Sequence, residues 1–363
     1  MKKKEVEPLV LYSAAEIWNM TLKELIKAGS KGKDWREDMT KDEFCFLVER
    51  HIHEYMPDLP DDAQVEVLER TKNNDTLLHG LVVHSREGKE TEAAPIIYLE
   101  PYFKAYMFGE KDIEDVMHEI ARDYMQIARN MPQFDLPDMT KEGIKDRIYV
   151  KLVNTRSNQE NLRDLVSLPV DGGFSLTVYI DMDTPRKDAM IQITKDMASR
   201  MDFDERELMQ TAMRNTVKAH PAELVEMQKV MMDMSGLRKL EPGDNLLRDN
   251  CSPVEDLSML ILSNSDKFFG ATALFYPEVK AQIADATGGS YYVLPSSVHE
   301  LIVLPDNGTF DERELACMVQ SVNSCEVRPE EQLGNKVLYY NASMDRLMVA
   351  VDLDREKERG KER

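Results

Sequence analysis

The amino-acid sequence predicts an α+β protein with two packed α+β parts, in which the strands are mainly antiparallel and helices cover the sheet faces. The first observation is a continuous apolar stripe at helical spacing over residues 112–129. The second is a series of short apolar runs bounded by Gly, Pro, Asn and Asp, which is typical of strands and turns. The third is the composition, because 42 % hydrophobic and 31 % charged residues are typical of a globular chain.

Local signals define the elements of the first two thirds of the chain. Thr40 and Glu43 have the spacing of a capping box, which predicts a helix that begins there. Asn73-Asn74-Asp75 predicts a turn between two strands, because these side chains tolerate tight-turn backbone angles. The predicted strands are 65–68, 77–84, 96–99, 148–153 and 174–180, and the further predicted helices are 112–129 and 158–165.

The last third has shorter and more regular units. Pro295-Ser296-Ser297 is predicted to be the turn of a hairpin, and Pro277 suits the first turn of a helix. The predicted strands are 259–262, 271–275, 291–294, 298–304, 337–340 and 347–351, and the predicted helices are 277–288 and 311–323.

These elements suggest five segments. The predicted segments are a flexible N-terminal extension at 1–39, an α+β domain at 40–235, a linker at 236–253, a second α+β domain at 254–353 and a charged tail at 354–363. The linker is rich in Gly, Pro, Asp and Asn and has no sustained periodicity, which is typical of a domain boundary. The tail mixes both charge signs densely, so we expect it to fray.

The hexamer Phe-Asp-Glu-Arg-Glu-Leu occurs at 203–208 and again at 310–315. In each copy the Asp can cap a helix, the second Glu takes the third helical position, and Phe and Leu occupy the two positions of a hydrophobic staple. Either the two hexamers are independent copies of the same helix-capping motif, or they are the remnant of a duplication. The flanking residues barely match, which favours the first interpretation.

The charge balance limits the classes of partner. Lys and Arg total 46 against 67 Asp and Glu, which gives a net charge of −21. A charge of this sign repels nucleic-acid phosphates and anionic lipid, so we expect neither direct nucleic-acid binding nor membrane binding. An acidic protein that imitates nucleic acid and binds basic host proteins stays open.

The sequence predicts a soluble, cytoplasmic protein. The basic start at residues 1–4 is followed by acidic residues and a proline, unlike a signal peptide. The longest apolar run elsewhere, 257–262, is far shorter than the roughly 20 residues of a membrane span. The four cysteines form no CxxC pair, so we expect reduced, mostly buried thiols.

The segment Pro295, Ser296, Ser297, Val298, His299 and Glu300 contains the most suggestive group of polar side chains. A nucleophile needs a base within hydrogen-bond reach and a third group that orients the base. In a strand, Ser297 and His299 share one face while Glu300 points to the other, so this strand alone makes no relay. The segment is therefore predicted to be a polar structural hairpin, and a hydrolase-type site assembled around Ser297 and His299 is the alternative.

Other chemical signals are weaker. Asp181 and Asp183 end a predicted strand on one side and are a weak candidate for a divalent cation site. His118-Glu119 lacks the second histidine of a metalloprotease helix, and no phosphate-binding glycine loop is present. We therefore predict no cofactor.

Methionine is unusually frequent, with 23 residues, ten of them between 182 and 234. Flexible thioethers fill irregular core gaps and also suit surfaces that repack around a partner. Core filling is favoured where Met209 and Met213 lie at helical spacing, and a methionine-rich groove for a partner helix stays open.

Several segments resemble a bacterial domain-of-unknown-function family, number five-six-eight-eight. They are Ile148 to Asn154 with Asn158 and Leu162, Phe269-Gly270-Ala271, Tyr276-Pro277, Tyr292 to Ile302, Met318-Val319, Val322-Asn323, and Val337 to Tyr340. The resemblance covers roughly residues 40 to 351 and implies a similar chain length and a source among anaerobic gut bacteria. It implies no activity and no catalytic residue. Residues 1–39 and 169–173 depart from the pattern.

Together these observations predict a non-catalytic interaction or regulatory protein with a protein partner. The prediction depends on the acidic charge, the clustered methionines and the incomplete catalytic motifs. The hydrolase-type enzyme and the acidic nucleic-acid mimic are the alternatives.

Overall fold

A computed structural model describes residues 39–59, 63–84, 94–130, 137–182, 189–247 and 259–361. Its helices and antiparallel sheets confirm the predicted α+β class. The described residues group into two compact units. The first contains residues up to Arg70 and from Leu77 to 130, and the second contains Thr71–Thr76 and the residues from 137 onward. The predicted extension lies outside the described residues, apart from Met39.

In the described residues, the first unit contains a three-stranded sheet and three α-helices. Its elements are α1 (Lys41–His51), β1 (Gln64–Thr71), β2 (Leu77–His84), β3 (Ile97–Tyr98), α2 (Glu100–Met107) and α3 (Ile113–Arg129). The strand order is β1-β2-β3, and β2 and β3 are antiparallel.

Helix α3 supplies much of the core of the first unit. Its apolar stripe buries Val116, Met117 and Ile120, and the Tyr124 hydroxyl accepts the Val83 N–H at 3.0 Å. The predicted capping box of α1 is confirmed, because Thr40 and Glu43 each accept a backbone N–H from the other. Helix starts and amphipathic faces are local features, so sequence patterns predict them well.

In the described residues, the second unit contains two sheets and the eight remaining α-helices. Its helices are α4 (Lys141–Ile144), α5 (Gln159–Asp164), α6 (Lys195–Arg200), α7 (Glu205–Ala219), α8 (Met227–Met234), α9 (Val279–Thr287), α10 (Glu312–Cys325) and α11 (Leu353–Lys361). Its strands are β4 (Ile148–Asn154), β5 (Ser167–Val170), β6 (Phe174–Asp181), β7 (Met190–Gln192), β8 (Ala222–Glu226), β9 (Leu260–Asn264), β10 (Tyr291–Pro295), β11 (Leu301–Pro305), β12 (Lys336–Asn341) and β13 (Arg346–Asp352).

The larger sheet joins residues that the sequence analysis assigned to different domains. Its order is β13-β12-β10-β11-β9-β8, and β8 pairs with β9 in an antiparallel register from Ala222↔Asn264 to Glu226↔Leu260. One hydrophobic core also extends from Ile144 to Leu347. The predicted division at 236–253 therefore differs from the division between the two compact units. Only the strand pairing shows that β8 and β9, on the two sides of this stretch, share a sheet.

Alternate residues of the larger sheet face two cores. Tyr291, Val293 and Leu301 belong to the large core, which also contains the smaller sheet and α7. Tyr292 and Leu294 belong to a second cluster with residues of α10 and with Leu353. Burial on both faces explains why these strands are apolar at consecutive positions.

The smaller sheet has the order β4-β6-β5, with β7 also paired to β6. The outer edge of β4 is closed by side-chain hydroxyls instead of by another strand. Thr216 Oγ1 accepts the Val150 N–H at 2.9 Å, and Thr272 Oγ1 accepts the Leu152 N–H at 3.0 Å. These bonds satisfy buried donors that a bare sheet edge leaves unpaired.

The structure differs from the predicted secondary structure at residues 271–275 and in the tail. Residues 271–275, predicted as a strand, lie in a buried 3₁₀ turn, Gly270–Phe275, where Thr272 bonds β4 instead of a neighbouring strand. The tail, predicted to fray from residue 354, is helical through α11. Leu353 is buried, and the Asp354 carboxylate accepts the Asn335 N–H at 2.8 Å, so tertiary contacts hold the start of this helix.

The predicted helix caps at both copies of the hexamer are confirmed. Asp204 Oδ1 accepts the N–H groups of Arg206 and Glu207, and Asp311 Oδ1 accepts those of Arg313 and Glu314 at 2.9 Å. Both hexamers therefore begin a helix in the same way.

Replacing Asp311 by Ala is expected to lower the free energy of unfolding by about 1 kcal/mol, because two backbone donors lose their acceptor. Urea unfolding followed by circular dichroism measures the change. Asp311→Ser is the control and should retain most of the stability, since a serine hydroxyl also caps helices. Equal stability of D311A and the wild type would show that the cap is dispensable.

Candidate functional site

The loop between β10 and β11 contains the polar segment singled out in the sequence. The hairpin is confirmed, but β11 begins at Leu301, three residues later than predicted. The assignment of residues 298–300 to strand faces is therefore wrong. The Ser297 N–H donates to the Glu300 carbonyl at 3.1 Å, and Ser297 Oγ accepts the His299 N–H at 3.0 Å. The serine hydroxyl thus stabilises the loop backbone.

This loop is bonded to neighbouring segments on both sides. The Val298 N–H donates to the Glu331 carbonyl at 2.8 Å, and the Val298 carbonyl accepts the Ala271 N–H at 3.2 Å. The His299 carbonyl accepts the Ser263 hydroxyl at 2.8 Å. Pro295 is buried at the end of β10, whereas Ser296 and Glu300 are partly exposed. These hydrogen bonds hold the loop in place and so fix the position of the His299 side chain.

The His299 imidazole has defined partners at both ring nitrogens. Nδ1 accepts the Phe269 N–H at 3.2 Å, and Nε2 lies 3.8 Å from Glu331 Oε1. Burial lowers the pKa of His299, although the nearby Glu331 and Glu300 carboxylates oppose that effect. The ring is therefore neutral at pH 7 and carries its proton on Nε2, towards Glu331. Since Ser297 Oγ bonds the loop backbone and Nδ1 is occupied by Phe269, these atoms do not form the serine–histidine pair of a hydrolase.

Phe269 joins the histidine to the smaller sheet. Its φ of 53° lies in the left-handed region, which costs free energy for a bulky residue and persists only where the surrounding structure holds it. Its ring stacks on His299 with centroids 5.7 Å apart and an interplanar angle of 9°. The same ring meets the edge of Tyr179 at 5.5 Å, and the Lys151 Nζ lies 5.3 Å from its centroid.

Lys151 is a buried cation for which the described residues provide no counter-ion. It lies on β4 and is only 6 % exposed. Within the described residues its Nζ has the Phe269 ring as its contact and makes no hydrogen bond or ion pair. Burial lowers the pKa of Lys151 to about 8, with a smaller contribution from the positive charge of Lys72.

Thr177 lies directly opposite Lys151, because the β4–β6 register pairs the two residues. Its side chain is fully buried, and Oγ1 has no hydrogen-bond partner. A buried polar group without a partner costs free energy, so such groups are rare in native proteins. We call Lys151, Thr177, Phe269 and His299 the lysine site.

Lys336, in the same unit, is a buried lysine whose ammonium has a structural role. Burial also lowers its pKa to about 8. Its Nζ, however, donates to the Gly172 carbonyl at 2.8 Å and the Gly173 carbonyl at 3.3 Å, and it lies 3.7 Å from the Phe174 ring centroid. Burial alone therefore does not distinguish Lys151, whereas its lack of acceptors does.

Sequence reasoning identified His299 but missed Lys151, Thr177 and Phe269. The available signal was a single charged residue in an otherwise apolar strand, Ile-Tyr-Val-Lys-Leu-Val-Asn. Burying a lysine in such a strand costs free energy unless its charge is paired. The register with Thr177 and the proximity of Phe269 arise only from the folded chain.

The predicted cation-binding pair, Asp181 and Asp183, is not brought together as a site in the described residues. Asp181 lies at the end of β6, where it is partly exposed, and Asp183 lies outside the described residues. In the part of the chain that the structure describes, no group of three or more metal-ligating side chains is suitably placed.

The cysteines differ from the prediction. Cys45 is buried, but Cys317 and Cys325 on α10 are exposed free thiols. Cys251 lies outside the described residues. The expectation of mostly buried thiols is therefore wrong for the two thiols of α10.

A second feature is an apolar surface on α8 and the turn that follows it. No residue of α8 is buried. Met231, Met232, Met234 and Leu237 are 62, 44, 83 and 81 % exposed, and we call these four residues the methionine surface. A helix that buries none of its side chains is unusual, because helices in proteins are stabilised mainly by packing of an apolar face.

Taken together, these features define an α+β protein with an exposed methionine surface. It also has a buried lysine, without an acceptor in the described residues, near a loop that hydrogen bonds hold in place. Residues 41–342 match the family of unknown function DUF5688, and the chain belongs to that family. This confirms the resemblance drawn from the sequence. No curated protein and no solved structure matches the chain significantly. Among the described residues, no helix is long and apolar enough to cross a membrane.

Proposed function

We propose that the protein is a non-catalytic interaction protein whose methionine surface binds a partner helix with an apolar face and basic flanks. The observation that carries the proposal is the exposure of Met231, Met234 and Leu237, each more than 60 % exposed. Clustered exposed apolar side chains mark interaction sites, whereas single ones are ordinary. Methionine in particular adapts its shape to different partners.

The backbone presents this surface in a defined geometry. The Met227 N–H donates to the Met259 carbonyl at 2.8 Å, which ties the start of α8 to the chain before β9. After α8, the Leu237 N–H donates to the Met232 carbonyl at 2.9 Å. The Asp233 carboxylate accepts the Leu240 N–H at 3.2 Å. A preorganised surface loses little conformational entropy when it binds.

Charge supports a basic partner. Two nearby cations are already paired, because Lys229 Nζ lies 2.7 Å from Glu226 and Arg238 lies 2.9 Å from Asp244. The backbone N–H of Glu241 and both cations hold the pKa of Asp244 below its usual range. The net charge of the chain is −21, so a partner with basic flanks is attracted over a longer range than a neutral one.

The test uses a fluorescent helical peptide of leucine and lysine, and a matched peptide of leucine and glutamate. Fluorescence anisotropy should show binding of the lysine peptide, and the triple variant Met231→Gln, Met234→Gln, Leu237→Gln should bind at least about tenfold more weakly, or about 1.4 kcal/mol. Met344→Gln is the matched control, because Met344 is also 62 % exposed but lies in the β12–β13 turn.

Four results would contradict the proposal. The first two are equal binding of the two peptides and wild-type binding by the triple variant. The third is a concentration-dependent dimer in sedimentation that the triple variant abolishes, which would assign the surface to a second copy of the chain. The fourth is binding that appears only after deletion of residues 1–38, which would assign the surface to the N-terminal segment.

A further inference from the structure

We propose that the lysine site binds a small carboxylate with a compact apolar body, held by hydrogen bonds from Lys151 Nζ and Thr177 Oγ1. This inference is independent of the methionine surface and goes beyond an interaction function. It concerns side chains from β4, β6, the residue directly before the 3₁₀ turn at 270–275 and the β10–β11 loop, all in the second unit.

The first argument is the missing acceptor. Lys151 Nζ and Thr177 Oγ1 are donors without acceptors among the described residues, and they belong to directly opposed residues on neighbouring antiparallel strands. Side chains in such pairs lie on the same face of the sheet, with Cβ atoms about 5 Å apart. A fully buried hydroxyl without a partner and an ammonium without an acceptor in the described residues, on one face of the sheet, are complementary to an anion.

The second argument concerns the charge of the ligand. Lys72 adds positive charge near Lys151 and lowers the pKa of that ammonium further. A carboxylate would neutralise this charge, whereas a cation would be repelled. A charge-assisted bond from ammonium to carboxylate is also roughly twice as strong as a neutral one.

The third argument concerns the body of the ligand. The rings of Phe269 and Tyr179 meet edge to face next to the Lys151 ammonium. Tyr179 in turn packs on Tyr149 with ring centroids 5.9 Å apart. Aromatic walls favour an apolar group and disfavour a highly hydrated anion such as phosphate.

The fourth argument is the strained residue at the site. Phe269 keeps its left-handed backbone because its N–H is held by His299 Nδ1 and because its ring stacks on that imidazole. His299 and Glu331 are partly exposed, whereas Lys151 and Thr177 are buried. His299 is thus a positioning residue on the solvent side, and Phe269 separates it from the two donors.

Isothermal titration calorimetry at pH 6.5 and constant ionic strength tests the proposal on the full chain. The probes are acetate, butyrate, benzoate and inorganic phosphate. Wild-type protein should bind at least one of the carboxylates, and Lys151→Met and Thr177→Val should each weaken that binding at least tenfold. Lys111→Met is the matched control, because it removes one charge from a lysine that is paired with Glu119 at 2.6 Å; it should bind like the wild type.

The Thr177→Val variant and an NMR measurement on the wild type test the proposal even if Lys151→Met folds poorly. Thr177→Val conserves shape and removes only an unpaired hydroxyl, so it should fold. The ε-carbon NMR signal of Lys151 should also shift on addition of the bound carboxylate in the wild type. Absence of binding by all three carboxylates, unchanged binding in T177V, or binding of phosphate in place of the carboxylates would overturn the proposal.

Discussion

Replacing Lys151 by methionine is expected to stabilise the protein at pH 7, by about 1–3 kcal/mol, because an apolar side chain of similar length replaces a buried charge without a counter-ion. The side chain is only 6 % exposed, and its Nζ has no acceptor in the described residues. Few single substitutions stabilise a protein by this much. The measurement is urea unfolding of both proteins, followed by circular dichroism.

The pH dependence of this difference has a definite sign. Folding lowers the pKa of Lys151 from 10.5 to about 8, so between these values the unfolded chain binds more protons than the folded chain. The wild type therefore gains stability relative to K151M as pH rises from about 8 to 10.5, by about 3 kcal/mol at most. The advantage of K151M is complete below pH 8 and shrinks above it.

Lys336→Met is the matched control and should have the opposite effect. It removes the donor for the Gly172 and Gly173 carbonyls and the cation over the Phe174 ring. We expect a loss of about 2–3 kcal/mol, because the buried Gly172 carbonyl is left unsatisfied. If K151M destabilises the protein as much as K336M does, then Lys151 has a partner that stabilises it, and the interpretation of the lysine site is wrong.

Replacing Gly270 by alanine is expected to cost about 3 kcal/mol, because backbone atoms surround the position and have little room to shift. A Cβ there would lie 2.5 Å from the His299 carbonyl oxygen and 2.7 Å from the Asn264 nitrogen, and it would overlap the Ser263 hydroxyl. The glycine thus allows the 3₁₀ turn at 270–275 to pack against both β9 and the β10–β11 loop.

Gly243→Ala is the control, since no atom lies within 4 Å of a Cβ at that position. Its stability should change by less than about 0.5 kcal/mol, as for most surface substitutions. Thermal unfolding of the two variants and the wild type measures the contrast. Equal melting temperatures for G270A and G243A would show that the loop and β9 can separate without cost.

Local physics explains the predictions that succeeded. The cap at Asp311, the capping box at Thr40 and the apolar stripe of α3 each depend on residues within one or two turns. The hairpin of β10 and β11 is also a local feature, and its turn residues indicate it. The family resemblance, carried by the order of several such segments, was confirmed over residues 41–342.

Contacts between distant residues explain what the sequence patterns do not reveal. The stretch after residue 235 is turn-rich, and only the folded chain shows that β8 before it pairs with β9 after it. Residues 271–275 have the composition of a strand, but Thr272 closes the edge of β4 from within a 3₁₀ turn. A local sequence pattern does not predict which distant segment of the chain a strand or turn packs against.

The candidate site divides in the same way. The sequence determined that a polar loop with a histidine follows β10, and that a lone lysine interrupts the apolar strand β4. Only the tertiary structure decided that Ser297 bonds the loop backbone, that His299 holds Phe269, and that Phe269 reaches Lys151. The physical reason is that turn and strand propensities act between neighbours in the chain, whereas the partners of a buried charge are chosen by packing between segments more than a hundred residues apart.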